Sequence, residues 1–322
     1  MDAASSSPLH PEPPHSGPGQ PGATRRTPGT GGRALVLHGG GSAGNAWEIG
    51  IIAGLSEAGL DVTAADLIIG TSAGSTAAAQ ITAASPAELM AAILDAEHQP
   101  RTRPGGAGAA RGPGRPAVDH LERTGRIIAA AHSAADMRRR MGAAALELEG
   151  ASDPSVRERW RATVGARLPR EGWPEQEVLI TAVDARTGEP VVFDRHSGVG
   201  LVDAVAASCS SGVPYAIGDR QYIDGGYRRN ENADLALGYR RVLVLSPFGG
   251  RTRHPLEWGM QLAAQVAELR AAGSEVETVF PDGPSREAFG GNMMDLSARP
   301  PAARAGHRQG MALAEQLIAF WR

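Results

Sequence analysis

The amino-acid sequence predicts an α/β fold with a mainly parallel sheet. Two short apolar runs, Leu35-Val36-Leu37 and Leu67-Ile68-Ile69, stop at or just before glycine, and each leads into a segment of helical period. Strand, helix, strand, helix within about fifty residues is the alternation that builds a parallel sheet flanked by helices. Unbroken apolar runs also suit strands buried on both faces.

Taken in order, residues 33–38 read as the first strand, ending at Gly39-Gly40-Gly41. Residues 45–58 follow with Trp47, Ile51, Leu55 and Ala58 on one stripe, and Gly59 serves as a helix stop. The second strand ends at Gly70, and a small-residue helix runs over 73–83. Residues 85–170 hold helical patterns at 87–97, 118–132, 135–148 and 155–168, with a Pro/Gly/Arg-rich loop over 99–116. This stretch reads as a helical insert or cap. Strand patterns return at 178–183, 191–193, 242–245 and 276–280, and helical ones at 201–207, 256–272 and 302–320. Residues 1–32 are dominated by Pro, Gly, Ser and Thr, too poor in apolar area to offset chain ordering, and are expected to be a disordered tail ahead of a domain over 33–322.

Composition narrows the function classes. At 322 residues the chain is long enough to bury a substantial core. A formal charge of −3 gives no reason to expect a nucleic-acid partner held by bulk electrostatics. The single cysteine, Cys209, excludes an internal disulfide and argues against a cysteine-rich metal site. The histidines show no metal-ligand spacing, so neither a metal nor another cofactor is expected. No stretch approaches the roughly 20 apolar residues of a spanning helix, and the start lacks the pattern of a secretory signal. The expectation is a cytoplasmic chain. Arg138-Arg139-Arg140, with Arg101, Arg103, Arg111 and Arg115, could touch an anionic lipid surface as a peripheral contact.

Gly70-Thr71-Ser72-Ala73-Gly74 fits G-x-S-x-G, the tight turn that lifts a serine above the end of a sheet and onto a helix N-terminus. Free N–H groups and the helix dipole there favour negative charge at a reaction centre. The pattern alone is weak in a chain with 42 glycines, and Gly40-Gly41-Ser42-Ala43-Gly44 fits it too. Context favours Ser72, where the strand abuts the turn and a helix follows. At Ser42 the strand has already ended and three glycines intervene, better suited to presenting backbone N–H groups. Gly39, Gly41 and Gly44 also fit a dinucleotide fingerprint, but the second strand ends in Gly70-Thr71-Ser72 instead of the acidic residue that would hold a ribose.

A serine needs a base to take its proton. His38-Gly39-Gly40-Gly41 looks like the oxyanion loop of α/β-hydrolase lipases, which would call for a later histidine, His254 or His307. Neither follows a convincing strand. The other candidate is Asp224, in Tyr222-Ile223-Asp224-Gly225-Gly226, where two glycines leave the carboxyl little covered. A plain Asp-Gly turn reads the same way, and the pattern alone leaves the choice even.

Together, the glycine loop Gly39–Gly44, the elbow Gly70–Gly74 one βα unit later and the turn Asp224-Gly225-Gly226 resemble the patatin-like phospholipases. Asp203–Ser208 leading to Pro214 resembles the segment that precedes the Asp-Gly-Gly turn. The resemblance covers residues 33–320 and is least in the 85–170 stretch. It implies a three-layer α/β/α fold and hydrolysis of lipid acyl esters by a Ser–Asp dyad without histidine or metal. Carried over, Ser72 is the nucleophile and Asp224 its base. Gly39, Gly40 and Gly41 form the oxyanion hole, and Gly70, Gly74, Gly225 and Gly226 shape the supporting turns. One departure stands out. Ala43 occupies a loop position that usually carries Arg or Lys, so an acyl hydrolase is implied more firmly than a phospholipase. A non-catalytic lipid-binding member of the same fold is the alternative from a different class. Cys209 reads as a buried small residue, and Trp160 and Trp173 could line an acyl pocket.

Overall fold

The computed structural model describes residues 32–96 and 115–322. The expected tail, apart from Gly32, and nearly all of the 99–116 loop lie outside those residues. In chain order the first half contains β1 (Arg33–Leu37), α1 (Gly41–Glu57), β2 (Leu67–Gly70), α2 (Ala73–Ile81), α3 (Pro86–Asp95), α4 (Arg115–Ala130), α5 (Ala134–Leu146) and α6 (Pro154–Gly165). The second half contains β3 (Glu177–Asp184), β4 (Pro190–Phe193), α7 (Leu201–Ser208), β5 (Tyr215–Ile217), β6 (Arg220–Asp224), β7 (Arg241–Leu245), α8 (Leu262–Ala271), β8 (Glu275–Val279), α9 (Gly283–Phe289) and α10 (Arg299–Trp321).

The strands form one mixed sheet in the order β5-β6-β3-β2-β1-β7-β8, with β4 on β3. The stretch from β3 through β2, β1 and β7 to β8 is parallel, while β4 and β6 run antiparallel to β3. Alternate residues of β1 face opposite cores, as the period of two requires. Leu35 and Leu37 pack with α1, α2, α7 and α10, while Ala34 and Val36 pack with Leu262, Val266 and the 3-10 turn at Ala233–Ala236. Helices on both faces explain why the strands carry continuous apolar runs.

The two longest helices meet without side chains between them. A Cβ at Gly50 or Gly54 of α1 would fall on the carbonyl of Ala303 or His307 in α10, and one at Gly306 or Gly310 on the carbonyl of Trp47 or Ile51. Glycines four apart on both helices therefore let the backbones touch. The Trp47 indole closes the contact by donating to Gln309 Oε1 at 3.0 Å.

Two expectations need correcting, and two strands gave no sequence signal. The first helix starts at Gly41, not residue 45, because the last glycine of the loop is already its first residue. The 256–272 helix is broken: Gly259 at φ 63° ends a 3-10 turn before α8 begins. The strands β5 and β6 escape a periodicity reading because they are short. They form a hairpin whose two-residue link puts Gly218 (φ 60°) at the position a type II′ turn reserves for glycine. Within the 85–170 stretch, α3 and α6 send Leu89, Ile93 and Val164 into the main core.

Candidate active site

Ladder pairing brings Ser72 and Asp224 together. Ile180 of β3 pairs with Gly70 of β2 and with Phe193 of β4, and Ala182 pairs with Asp224 of β6 and with Val191 of β4. A residue has one partner on each edge, so β4 occupies one edge of β3 while β2 and β6 share the other. They meet head to head: β2 runs up to Gly70, and β6 runs down to Asp224 two β3 residues away. Where they meet, the chain turns off to Ser72 on one side and to Gly225 on the other. A Cβ on Gly225 would fall on Thr181, which leaves only glycine at that junction.

Ser72 sits between β2 and α2 with φ 52° and ψ −122°. Left-handed φ for a residue with a side chain costs of order 1–3 kcal/mol and marks functional turns. The strain is held by the surroundings: the Ser72 N–H donates to Ser208 Oγ at 2.9 Å, and its carbonyl accepts from Ser75 Oγ at 2.6 Å and Cys209 Sγ at 3.0 Å. Gly74 fits against the Leu37 carbonyl and Gly70 against Ser75, so neither site admits a side chain.

The glycine loop lies directly over this turn. A Cβ on Gly39 would approach Ser72 Cβ to 3.0 Å and its Oγ to 3.4 Å. Gly40 is the N-cap of α1, and Gly41 takes φ 60° beneath the Met293 carbonyl. Two helix N-termini thus converge on Ser72. Neither has an acidic residue in its first turn, and their leading N–H groups have no intrahelical acceptors. The residue after the serine, Ala73, supplies one such N–H and was not singled out from the sequence. Ser42, the other serine of the short pattern, lies in the first turn of α1, its carbonyl accepting from Arg299.

Asp224 is 7% exposed, and its Oδ1 accepts from the Gly226 N–H at 2.8 Å. Burial pushes its carboxyl up to about 6, against the opposing pull of the Gly226 amide and the Ser72 hydroxyl. Burial likewise raises the Cys209 thiol to about 11, which keeps it protonated and unreactive near neutral pH.

Asn232 gave no signal in the sequence. Fully buried in a left-handed conformation (φ 58°), it donates from Nδ2 to Thr71 Oγ1 (3.0 Å), Thr181 Oγ1 (3.2 Å) and the Gly225 carbonyl (3.1 Å). One amide therefore ties the residue before Ser72, the shared strand and the residue after Asp224. Asn232→Ala is expected to cost about 2–3 kcal/mol in urea denaturation, because it strands buried polar groups. If Asn232 positions the two turns, kcat for a soluble ester should fall more than KM rises.

Neither candidate histidine, His254 or His307, is bonded to Ser72 or Asp224. The His254 ring lies beside Thr252 and Trp258, with burial lowering it to about 4, and His307 Nε2 lies 2.9 Å from Glu57 Oε2 at the C-terminal end of α1. His38 is buried with Nδ1 unpartnered among the described residues, its ring edge-on to Phe248. Of the arginine run, Arg138 donates to the Gly188 and Arg228 carbonyls, while Arg139 and Arg140 pair with Asp136. Arg101, Arg103 and Arg111 lie outside the described residues.

Beside the two turns opens a cavity of about 550 Å³, lined by Trp160, Cys209, Ser210, Val213, Tyr215 and Met294 among others. Ser210 joins it to the site, since its carbonyl accepts the Asp224 N–H at 3.0 Å. Trp173, the other tryptophan singled out from the sequence, donates to the Val199 carbonyl and is not among the lining residues.

Comparison with known proteins gives three findings. Residues 35–237, more than half of the chain, match the family described as patatin-like phospholipase. No curated protein matches the sequence. Among solved structures, VipD from Legionella pneumophila is similar at 14% identity over 88% of this chain and 67% of that one, with a TM-score of 0.40. The type III effector protein ExoU is similar at 15% identity over 90% of this chain, with a TM-score of 0.36; the match spans 54% of the ExoU chain.

Proposed function

This chain belongs to the patatin-like phospholipase family, whose chemistry is lipid acyl hydrolysis, and from that premise we propose that it cleaves carboxylic esters of lipids through a Ser72–Asp224 dyad. The observation that carries the reading is the head-to-head meeting of β2 and β6 on one edge of β3. It supplies a strained serine at a helix N-terminus and a buried carboxyl next to it.

In the proposed cycle Ser72 Oγ attacks the ester carbonyl carbon while Asp224 takes the hydroxyl proton. The oxyanion is held by N–H groups of the Gly39-Gly40-Gly41 loop, with Ala73 as a further donor. Collapse breaks the bond to the alcohol, which leaves with the proton from Asp224, and the acyl group stays on Ser72. Water then attacks the acyl-enzyme, Asp224 takes a proton from it, and the acid departs as Ser72 recovers its hydrogen. A carboxylate at its ordinary value near 3.9 is a weak base. Burial that lifts Asp224 to about 6 makes it a stronger one while leaving it charged at neutral pH. The cavity, which Ser72 and Asp224 themselves do not line, offers Trp160, Val213 and Met294 as apolar contacts for an acyl chain beside Arg157, Arg186 and Arg220. Exposed Phe248, Met294 and Leu296 are the side chains we expect to meet a lipid surface as a peripheral contact.

Below about pH 6 Asp224 is protonated and cannot accept the serine proton. The kcat/KM for a soluble p-nitrophenyl ester should therefore rise through about pH 6 and level off above it. Stability runs the other way. A raised carboxyl binds its proton more tightly in the folded chain, so this group's contribution falls as pH climbs from the ordinary carboxyl range through about 6. The direct test is labelling of the folded chain with a fluorophosphonate, followed by peptide mapping. Modification at Ser72 is expected; an unlabelled Ser72 would instead favour a non-catalytic lipid-binding protein.

A further inference from the structure

Arg299, the first residue of α10, reaches back to the start of α1. Its Nη1 donates to the Ser42 carbonyl at 3.2 Å and to Asn45 Oδ1 at 3.0 Å. The relay continues: Asn45 Nδ2 reaches Gln80 Oε1 at 3.0 Å, and Gln80 Nε2 donates to the Arg167 carbonyl at 3.0 Å. The same Asn45 amide lies 3.5 Å from the carbonyl of Ala73, the residue after the candidate nucleophile. Arg167 in turn lays its guanidinium over the Trp160 ring, 5.7 Å from the centroid. Trp160 is fixed by donating to the Ala206 carbonyl at 3.0 Å, and it lines the cavity beside the site.

The relay ends on the Arg167 backbone, which brings the two cations near one another, and among the described residues neither guanidinium is bonded to a carboxylate. Two other partly buried arginines are neutralised, Arg228 by Asp234 at 2.8 Å and Arg229 by Glu268, whereas Arg138 is held by carbonyls. Burial and the neighbouring Arg167 both disfavour the Arg299 charge. An unpaired, partly desolvated cation is costly, and a ligand that brings its own negative charge removes the cost. Among the described residues Arg299 engages only Nη1, which leaves Nη2 and Nε to bind. Two planar forks match the several oxygens of a tetrahedral dianion better than the two oxygens of one carboxylate.

We propose that Arg299 and Arg167 form a subsite for a phosphate group, carried there by the headgroup of a lipid whose ester lies at Ser72. This deepens the reading of the site as a lipid acyl hydrolase and rests on it. It also supplies a cation to the glycine loop where Ala43 brings none, from a helix outside the 35–237 segment that the family model matches.

The test uses the full chain carrying Ser72→Ala, so that no substrate turns over. Tryptophan fluorescence, sensitive to Trp160 beneath Arg167, follows titration with short-chain dihexanoyl phosphatidate, neutral dihexanoylglycerol and inorganic phosphate. Phosphatidate should bind about tenfold more tightly than dihexanoylglycerol. Arg299→Gln and Arg167→Gln should each remove most of that advantage while the neutral lipid's affinity moves less than about twofold. Arg167 is exposed, so its variant keeps the test valid if Arg299→Gln fails to fold. Equal affinities for the two lipids, or equal losses for both on substitution, would overturn the subsite. Inorganic phosphate binding as tightly as phosphatidate would overturn the headgroup assignment. Because binding is read without turnover, a chain inactive on every ester would sink the hydrolase reading and leave the affinity ratio to decide the subsite.

Discussion

Ser72→Ala should lower hydrolysis of a p-nitrophenyl ester by about 10⁴-fold or more, because it removes the atom proposed to form the acyl-enzyme. Asp224→Asn should do nearly the same. Its amide keeps an oxygen for the Gly226 N–H, now at 2.8 Å from Oδ1, so the turn survives while the base is lost. Both variants should keep a cooperative thermal transition near the parent's. The Ser72 hydroxyl is not among the groups that cap α2, whose N-cap carries no side-chain hydrogen bond. An Asp224→Asn variant with unaltered kcat would show that some other group takes the proton. His38 would be the first to test, since its Nδ1 is unpartnered among the described residues and it stands one residue before the glycine loop.

Gly306→Val should have the largest effect on stability. A Cβ there falls on the Trp47 carbonyl and meets Ile51 N at 3.1 Å. Backbone atoms cannot move aside as a side-chain tip can, so α1 and α10 must separate. Overpacking of this kind costs about 3 kcal/mol, which in a chain of this size is a drop in Tm of about 5 °C. The loss should extend to activity, because α1 begins in the glycine loop and Arg299 of α10 holds the Ser42 carbonyl. Gly306→Ala carries the same Cβ without the branch and should fall between. An unchanged Tm in the valine variant would mean that the helices do not touch as described.

Much of the candidate site is legible in the sequence because its parts are short-range. The strand ending at Gly70, the elbow at Ser72 and the glycine loop each depend on a few consecutive residues, and local pattern suffices for those. Asp224 could be named but not placed. Its position depends on the β5–β6 hairpin, whose strands are too short for periodicity to register, and on β3 sharing an edge between two strands. Asn232 left no trace because its role rests on hydrogen bonds to Thr71 and Thr181, which are distant in sequence, and an isolated Asn has no pattern. Arg299 was hidden for the same reason: its partner Asn45 lies 254 residues away. The expected 256–272 helix failed at Gly259, whose left-handed φ outweighs the apolar spacing on either side.

The backbone contact of α1 with α10 also bears on how the chain is made. At roughly 5–20 residues per second, the ribosome delivers Asn45 many seconds before the Arg299 that binds it 254 positions later. Throughout that interval the glycine face of α1 is bare and the loop over Ser72 lacks its clamp. A nascent chain is therefore expected to display its serine long before it can use it, so that the proposed hydrolysis is withheld until translation has passed α10.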